Sequence, residues 1–278
     1  MDNLDLTNFD RACVLLELAY DECSGLSQES LTKKDMLLDY FVGTVSSVFH
    51  RITSILTGHK VSSLEDYVRH HDRAVKDVLS ATDIPYATLI LPSPQGMVWP
   101  YPKTIAALHV LYKEDPPEKT IEFLKTFSAN LSHRDRVSLA ATLAELERSE
   151  TTSKTELGLT DLFVENALGH KTGAALFGGQ TGLKSAYTDL MSMRQFYTDG
   201  IKAAREIETL EQSIKQTIER IVQGSGIDKD SAAIAAKTLR LIAHRLRSMA
   251  TLLVKMDAVE QNFVRCLSHL VTYRAKHA

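Results

Sequence analysis

The sequence predicts an all-α protein: a helical bundle with a long C-terminal antiparallel helical hairpin, a coiled coil, and one extended proline-rich segment. Apolar residues recur at spacings of three and four along most of the 278 residues, as on one face of an α-helix. Two long series of this kind flank Gly224-Ser-Gly226 near the C-terminus. All seven prolines lie between Pro85 and Pro117. Because proline disrupts a helix interior, the non-helical backbone is expected to be concentrated in this segment.

Residues 1–82 form the predicted N-terminal helical unit. The first helix has apolar residues at three and four spacing from Phe9 to Tyr20, and a second apolar run extends from Leu37 to Ile55. The third helix begins with Ser62-Ser-Leu-Glu65, a capping box in which the side chains of Ser62 and Glu65 each accept a hydrogen bond from the other's backbone N–H. It is expected to end at about Ser80.

Residues 83–103 form the predicted proline-rich strap. Proline fixes φ and pushes the residue before it towards extended conformations, so this segment is expected to be extended. Strands are expected only at 88–91 and 97–99. We expect the strap to lie against its own bundle, and a neighbouring subunit is the second alternative. The candidate interaction residues in it are Leu91, Pro92, Pro94 and the single tryptophan, Trp99.

Residues 104–168 form the predicted middle helices, and residues 169–182 a glycine-rich hinge. One middle helix is expected from about 103 to 113. Another is expected from 117 to 130, because a proline at an early helical position loses no hydrogen bond. The end of the hinge and the three residues after it read Gly178-Gly-Gln-Thr-Gly-Leu-Lys-Ser185, which resembles a phosphate-binding loop. That loop needs glycine directly before the lysine, and Leu183 intrudes, so the pattern favours a hinge over a nucleotide site.

Residues 183–278 form the predicted antiparallel hairpin. Its first arm runs from Leu183 to Ile221, with Glu211 as the clear break in the apolar series. The short turn at 224–226 makes antiparallel packing the simplest arrangement. The second arm carries Ala235, Leu239, Ile242, Leu246, Met249, Leu253, Met256, Glu260, Phe263, Leu267 and Leu270, of which Leu246, Met249 and Leu253 are candidate interaction residues.

Charge is distributed unevenly along the chain. Residues 235–278 hold eight lysines and arginines against two acids, a balance of +6, whereas residues 1–60 hold nine acids and five bases, a balance of −4. Arg240 and Arg247 are the candidate interaction residues of this basic helix. It can contact nucleic acid or an acidic protein surface. We favour the acidic surface, since the helix lacks the interleaved aromatic residues on which single-strand binders stack bases.

Composition narrows the functional classes. A net charge of −3 gives no general attraction to nucleic acid, and no stretch is long and apolar enough for a membrane span. The acidic N-terminus does not resemble a signal peptide, and three cysteines without a C-x-x-C favour reduced thiols. No metal-ligand spacing, catalytic motif or Glu-x-x-His pair is present in the sequence, so we expect no cofactor and no enzymatic activity.

One stretch resembles a known class of proteins. The strap reads "iPy…lPsPqG" from Ile84 and is followed by "y…l..L" in Tyr101 to Leu111, after which the chain ends in a helical hairpin. This order resembles the α-helical virion structural proteins of large tailed bacteriophages. The resemblance implies a non-enzymatic protein in the virion, or in the host cytoplasm before assembly, whose partners are other virion proteins. The alternative is a cellular helical adaptor that binds partners through the hairpin or the proline strip.

Overall fold

The computed structural model describes residues 63–94, 97, 99–114, 116–130, 168–193, selected positions between 195 and 216, and 229–277. Of the described residues, 79% are helical, which confirms the mainly helical class. Predictions for residues 1–62, for 131–167 and for the turn at 224–226 lie outside the described residues. The elements are α1 Ser63–Ser80, β1 Ile90–Pro94, α2 Tyr101–Glu114, α3 Pro117–Asn130, β2 Leu168–Thr172, α4 Gly173–Phe177, α5 Gln180–Ser192 and α6 Lys229–His277.

Helix α1 ends at Ser80 as predicted, and α3 begins and ends where the sequence predicts. Glu65 and Asp66 lie in the first turn of α1, where negative charge is favourable next to the exposed backbone N–H groups. The helix is kinked at His71 (φ −128°, ψ 24°). The residue before it, His70, donates from Nδ1 to the carbonyl of Asp66, one turn earlier in the helix, at 2.7 Å. A side chain that occupies a carbonyl of the helical ladder is a recognised cause of such a kink.

The two strands form an antiparallel sheet, which the all-α prediction lacked. The sequence predicts a strand at 88–91, and β1 overlaps it only at Ile90 and Leu91, whereas Met97 and Trp99, where a second strand is expected, are not in a strand. Ile90 pairs with Thr172 and Pro94 with Leu168. Antiparallel pairs alternate between hydrogen-bonded and non-hydrogen-bonded. The amide of Gly173 donates to Leu89 O at 2.8 Å, which makes the odd-numbered positions of β1 the hydrogen-bonded ones. Both prolines of β1 therefore stand at even positions, where the sheet requires no N–H.

The glycine-rich segment 169–182, expected to be a hinge, contains most of β2, all of α4 and the start of α5. Gly178 and Gly179 join the two helices with φ values of 73° and 121°, which residues other than glycine rarely adopt. At Gly182 an added Cβ would lie 1.6 Å from the Phe177 carbonyl oxygen. These three glycines are therefore required by the tight connection between α4 and α5.

The first arm of the predicted hairpin is not one continuous helix in the described residues. Helix α5 ends at Ser192, and the amide of Met193 donates to the carbonyls of Asp189 and Leu190, both at 3.1 Å. The Ser192 hydroxyl also donates to the Asp189 carbonyl at 2.7 Å. Helical residues resume at 195.

The described residues belong to two compact units. The sheet unit takes its described residues from Gly58–Asp115, Lys154–Gly200 and Thr251–Ala278, and the other unit includes α3. In that other unit, Lys125 Nζ lies 2.6 Å from a carboxylate oxygen of Glu206.

The core of the sheet unit is built around the C-terminal part of α6. The buried face is broad, as expected for a helix in a globular core. The buried seam of a coiled-coil helix would be narrower, with two residues in each heptad. It consists of Leu252, Leu253, Met256, Asp257, Val259, Glu260, Phe263, Cys266, Leu267 and Leu270.

Candidate interaction site

The proline-rich strap is built into the core of the sheet unit. Leu91 is only 1% exposed, and Pro92 and Pro94 are also buried. The Cys266 thiol of α6 donates to the Pro92 carbonyl at 2.8 Å. Three of the four interaction residues predicted in the strap therefore contact the protein's own unit.

Trp99 is the predicted strap residue that remains partly accessible. Its side chain is half-buried, and Lys103 Nζ lies 4.2 Å from the ring centroid, in cation–π contact. Such a contact contributes about 0.5–1 kcal/mol when it is partly solvated. The Trp99 carbonyl accepts a hydrogen bond from the Thr104 hydroxyl at 3.3 Å, which joins the end of the strap to the first turn of α2.

Three aromatic rings hold α2, α4 and α6 together. Tyr101 stacks on Phe177 with ring centroids 5.2 Å apart, and Phe263 meets both rings edge to face at 5.7 and 6.0 Å. Burial raises the pKa of Tyr101 well above its ordinary value. Burial also raises the pKa of Cys266 to about 12. At neutral pH both groups are protonated, so Cys266 packs as a small apolar residue and not as a nucleophile.

Glu260 joins α6 to the beginning of α1. It is 3% exposed, and its Oε1 accepts a hydrogen bond from the Leu64 amide at 2.8 Å. Leu64 lies in the first turn of α1, where backbone N–H groups have no intrahelical acceptor. A carboxylate there gains both a charge-assisted hydrogen bond and a favourable interaction with the helix dipole. The sequence reasoning missed this role, although the single polar residue in an apolar series was its signal.

Arg274 joins the end of α6 to the end of α1. Its guanidinium donates to Asp77 at 3.1 Å and to Asp83 at 2.6 Å. The hydrogen bond from Arg274 lowers the pKa of Asp83. Both aspartates are exposed, so water and salt weaken this pair. Arg274 is one of the basic residues of α6, and its described partners are acidic groups of the same unit.

The remaining predicted interaction residues lie on α6. Leu253 is buried in the core of the sheet unit. Arg240, Leu246, Arg247 and Met249 lie within the helix, but the surroundings of their side chains are outside the described part of the structure. Their interaction role therefore stays a prediction.

In the segment that resembles a phosphate loop, the side chain of Gln180 has a structural role. Gln180 begins α5, and its amide nitrogen donates to the carbonyls of Val78, at 3.1 Å, and of Leu79. Its amide oxygen accepts from the Tyr86 hydroxyl. Gln180 thereby binds carbonyls in the last turn of α1, for which the helix itself provides no N–H donor. Sequence reasoning missed Gln180, because its partners are about 100 residues away.

No group of three or more potential metal ligands occurs among the described residues. None of the described helices is both long and apolar enough to cross a membrane. Comparisons of the chain with protein-family models, with curated proteins and with solved structures found no match.

Proposed function

We propose that this chain is a non-enzymatic structural protein that assembles through protein–protein contacts, as a component of a tailed-phage particle. The observation that carries the proposal is α6, a single helix of 49 residues. At 1.5 Å per residue it is roughly 75 Å long. Its residues after Ala250 supply the core of the sheet unit. Its earlier residues continue the apolar three and four spacing, which suits packing against further helices.

The use of polar groups in the sheet unit supports a structural role. Glu260 caps α1, Arg274 binds two aspartates, and the Cys266 thiol binds a carbonyl. Each of these side chains is a common participant in catalysis, and each is engaged in joining α6 to another element. Such contacts stabilise a fold and do not by themselves bind a substrate.

The placement in a phage particle is supported by the sequence resemblance of Ile84 to Leu111 to helical virion proteins. A repetitive particle needs subunits whose shape is maintained by internal contacts. The strap meets that need, since Leu91 and both strand prolines are buried.

The adaptor alternative depends on which surface is offered to a partner. A proline strip that docks in an aromatic groove must be accessible. Pro92 and Pro94 are buried in the sheet unit, which favours the assembly proposal over an adaptor that acts through the strip. An adaptor that acts through α6 remains the competing function.

The test is co-purification. Particles made by cells that carry the gene are banded on a density gradient and probed for this chain, with an abundant cytosolic protein of the host as the control. We expect the chain to band with the particles and the control to stay at the top of the gradient. A chain that stays with the control, and instead co-elutes with one cellular protein, would support the adaptor.

A further inference from the structure

The two outer edges of the small sheet differ in their capacity to bind another strand. On β1, the residues that point away from β2 include Pro92 and Pro94, which have no N–H to donate. The outward carbonyl of Pro92 already accepts a hydrogen bond from Cys266. The outer edge of β1 is therefore closed.

The outer edge of β2 carries main-chain groups without these obstacles. His170 pairs with Pro92 and Thr172 with Ile90, both at non-hydrogen-bonded positions, so their N–H groups point away from β1. The His170 side chain is exposed. Within the described residues, the sheet has no third strand. A row of outward N–H and C=O groups is a template for a further strand.

We propose that β2 pairs with β2 of a second copy of this chain, antiparallel, with His170 on the two-fold axis. In an antiparallel pair of identical strands the central residue faces itself and exchanges both of its main-chain hydrogen bonds with its copy. His170 is the middle residue of Leu168–Thr172 and has the outward orientation that this requires.

The distribution of charge favours this register. Lys171 is the one permanently charged residue of the strand. Pairing about His170 places Lys171 opposite Gly169 of the second copy, so like charges do not face each other across the strands. In addition, the Lys171 ammonium donates to the Met97 carbonyl within its own sheet unit. A parallel, in-register pairing would instead set Lys171 beside its own copy.

This inference rests on the proposed function and deepens it, because it names a second copy as one partner in assembly. The strand pairing and the assembly proposal can fail separately. A chain that is monomeric in solution yet present in particles would overturn the strand pairing and leave the assembly proposal intact.

The test compares His170→Pro with His170→Ala by sedimentation velocity over a concentration series of the full-length chain. His170→Pro removes an outward N–H and leaves the pairing between β1 and β2 untouched, whereas His170→Ala removes the side chain and keeps the main-chain donor. We expect the wild type and His170→Ala to dimerise, and His170→Pro to remain monomeric up to the highest soluble concentration. A monomeric wild type, or a His170→Pro variant that dimerises like the wild type, would overturn the proposal. So would loss of the dimer in both variants, since that would assign the contact to the side chain.

Hydrogen exchange of the wild type keeps the proposal testable if His170→Pro does not fold, as circular dichroism would show. The His170 amide is expected to exchange more slowly as protein concentration rises, because the second strand binds it. Exchange of this amide that is independent of concentration, in a sample that sediments as a dimer, would contradict pairing through β2.

Discussion

Replacement of Glu260 tests whether a buried carboxylate of α6 fixes the start of α1. Glu260→Leu removes the acceptor of the Leu64 amide, which lies 2.8 Å from Oε1 in a site where Glu260 is 3% exposed. A buried donor that loses its partner costs about 1–3 kcal/mol. Leucine also relieves the cost of burying a carboxylate, so the net loss should fall in the lower part of that range.

Glu260→Gln is the matched control. Glutamine has nearly the same shape and retains an oxygen that can accept from Leu64, but it lacks the charge that interacts with the helix dipole. That interaction contributes about 0.3–1 kcal/mol, and up to about 2 kcal/mol when partly buried. We therefore expect the Gln variant to lose less stability than the Leu variant.

The assay is urea unfolding followed by circular dichroism and by the fluorescence of Trp99, which reports on the sheet unit. A Leu variant as stable as the wild type would refute the capping role. Equal losses in the Leu and Gln variants would assign the effect to the charge rather than to the hydrogen bond.

Three further predictions concern the sheet unit. Gly182→Ala should destabilise the protein by about 3 kcal/mol or more, measured by thermal unfolding, because its Cβ would lie 1.6 Å from the Phe177 carbonyl oxygen. Stability should fall as pH rises above about 9, measured by urea midpoints between pH 7 and 11. The pKa of Cys266 is raised by burial to about 12, so the folded thiol holds its proton where the unfolded thiol, with its ordinary pKa of 9.0, loses it. Trp99→Ala should lower stability modestly, by about 1–2 kcal/mol in urea unfolding followed by circular dichroism alone, because the ring is only half-buried and the variant lacks the fluorophore.

Each of these has its own control. Ala175→Gly, at an exposed helical position, should cost only about 1 kcal/mol, and a Gly182→Ala variant no worse than this would contradict the close approach. Cys266→Ala should flatten the stability profile above pH 9, although Tyr101 and Tyr86, whose pKa values burial also raises, retain part of the slope. An unchanged slope would contradict the role of the thiol. A Trp99→Ala variant that keeps full stability but no longer assembles would assign Trp99 to a contact between subunits.

Patterns that depend on neighbouring residues predicted local structure well. The ends of α3, the end of α1 at Ser80 and the buried positions from Leu253 to Leu270 follow from prolines, caps and three and four spacing. In each case the cause lies within one or two helical turns, and it can be recognised in a single stretch of sequence.

Features that depend on distant residues could not be predicted in this way. The strand Leu168–Thr172 contains no run of β-branched residues, and it forms because Ile90–Pro94 supplies the pairing edge. The close approach at Gly182 depends on the path of the chain through Gly178 and Gly179, which spacing alone does not reveal.

The candidate interaction residues show the same division. The prolines of the strap predicted extended backbone, which is found at Ile90–Pro94, whereas residues 86–88 form a turn and helix α2 already begins at Tyr101. Pro92 is buried in contact with the thiol of Cys266, 174 residues away, and no local pattern contains that contact. The accessible main chain of β2 could not be predicted from the sequence for a related reason, because a strand has an outer edge only once it is paired in a sheet.

The most direct test of the account is the number of copies of this chain in each purified particle, measured by mass spectrometry with isotope-labelled peptides and a known capsid protein as the internal reference. A structural protein that assembles through defined contacts is expected at a fixed copy number that is the same in independent preparations and set by the symmetry of its position. A trace amount that varies between preparations, or complete absence from particles while the chain is abundant in the lysate, would contradict the proposal.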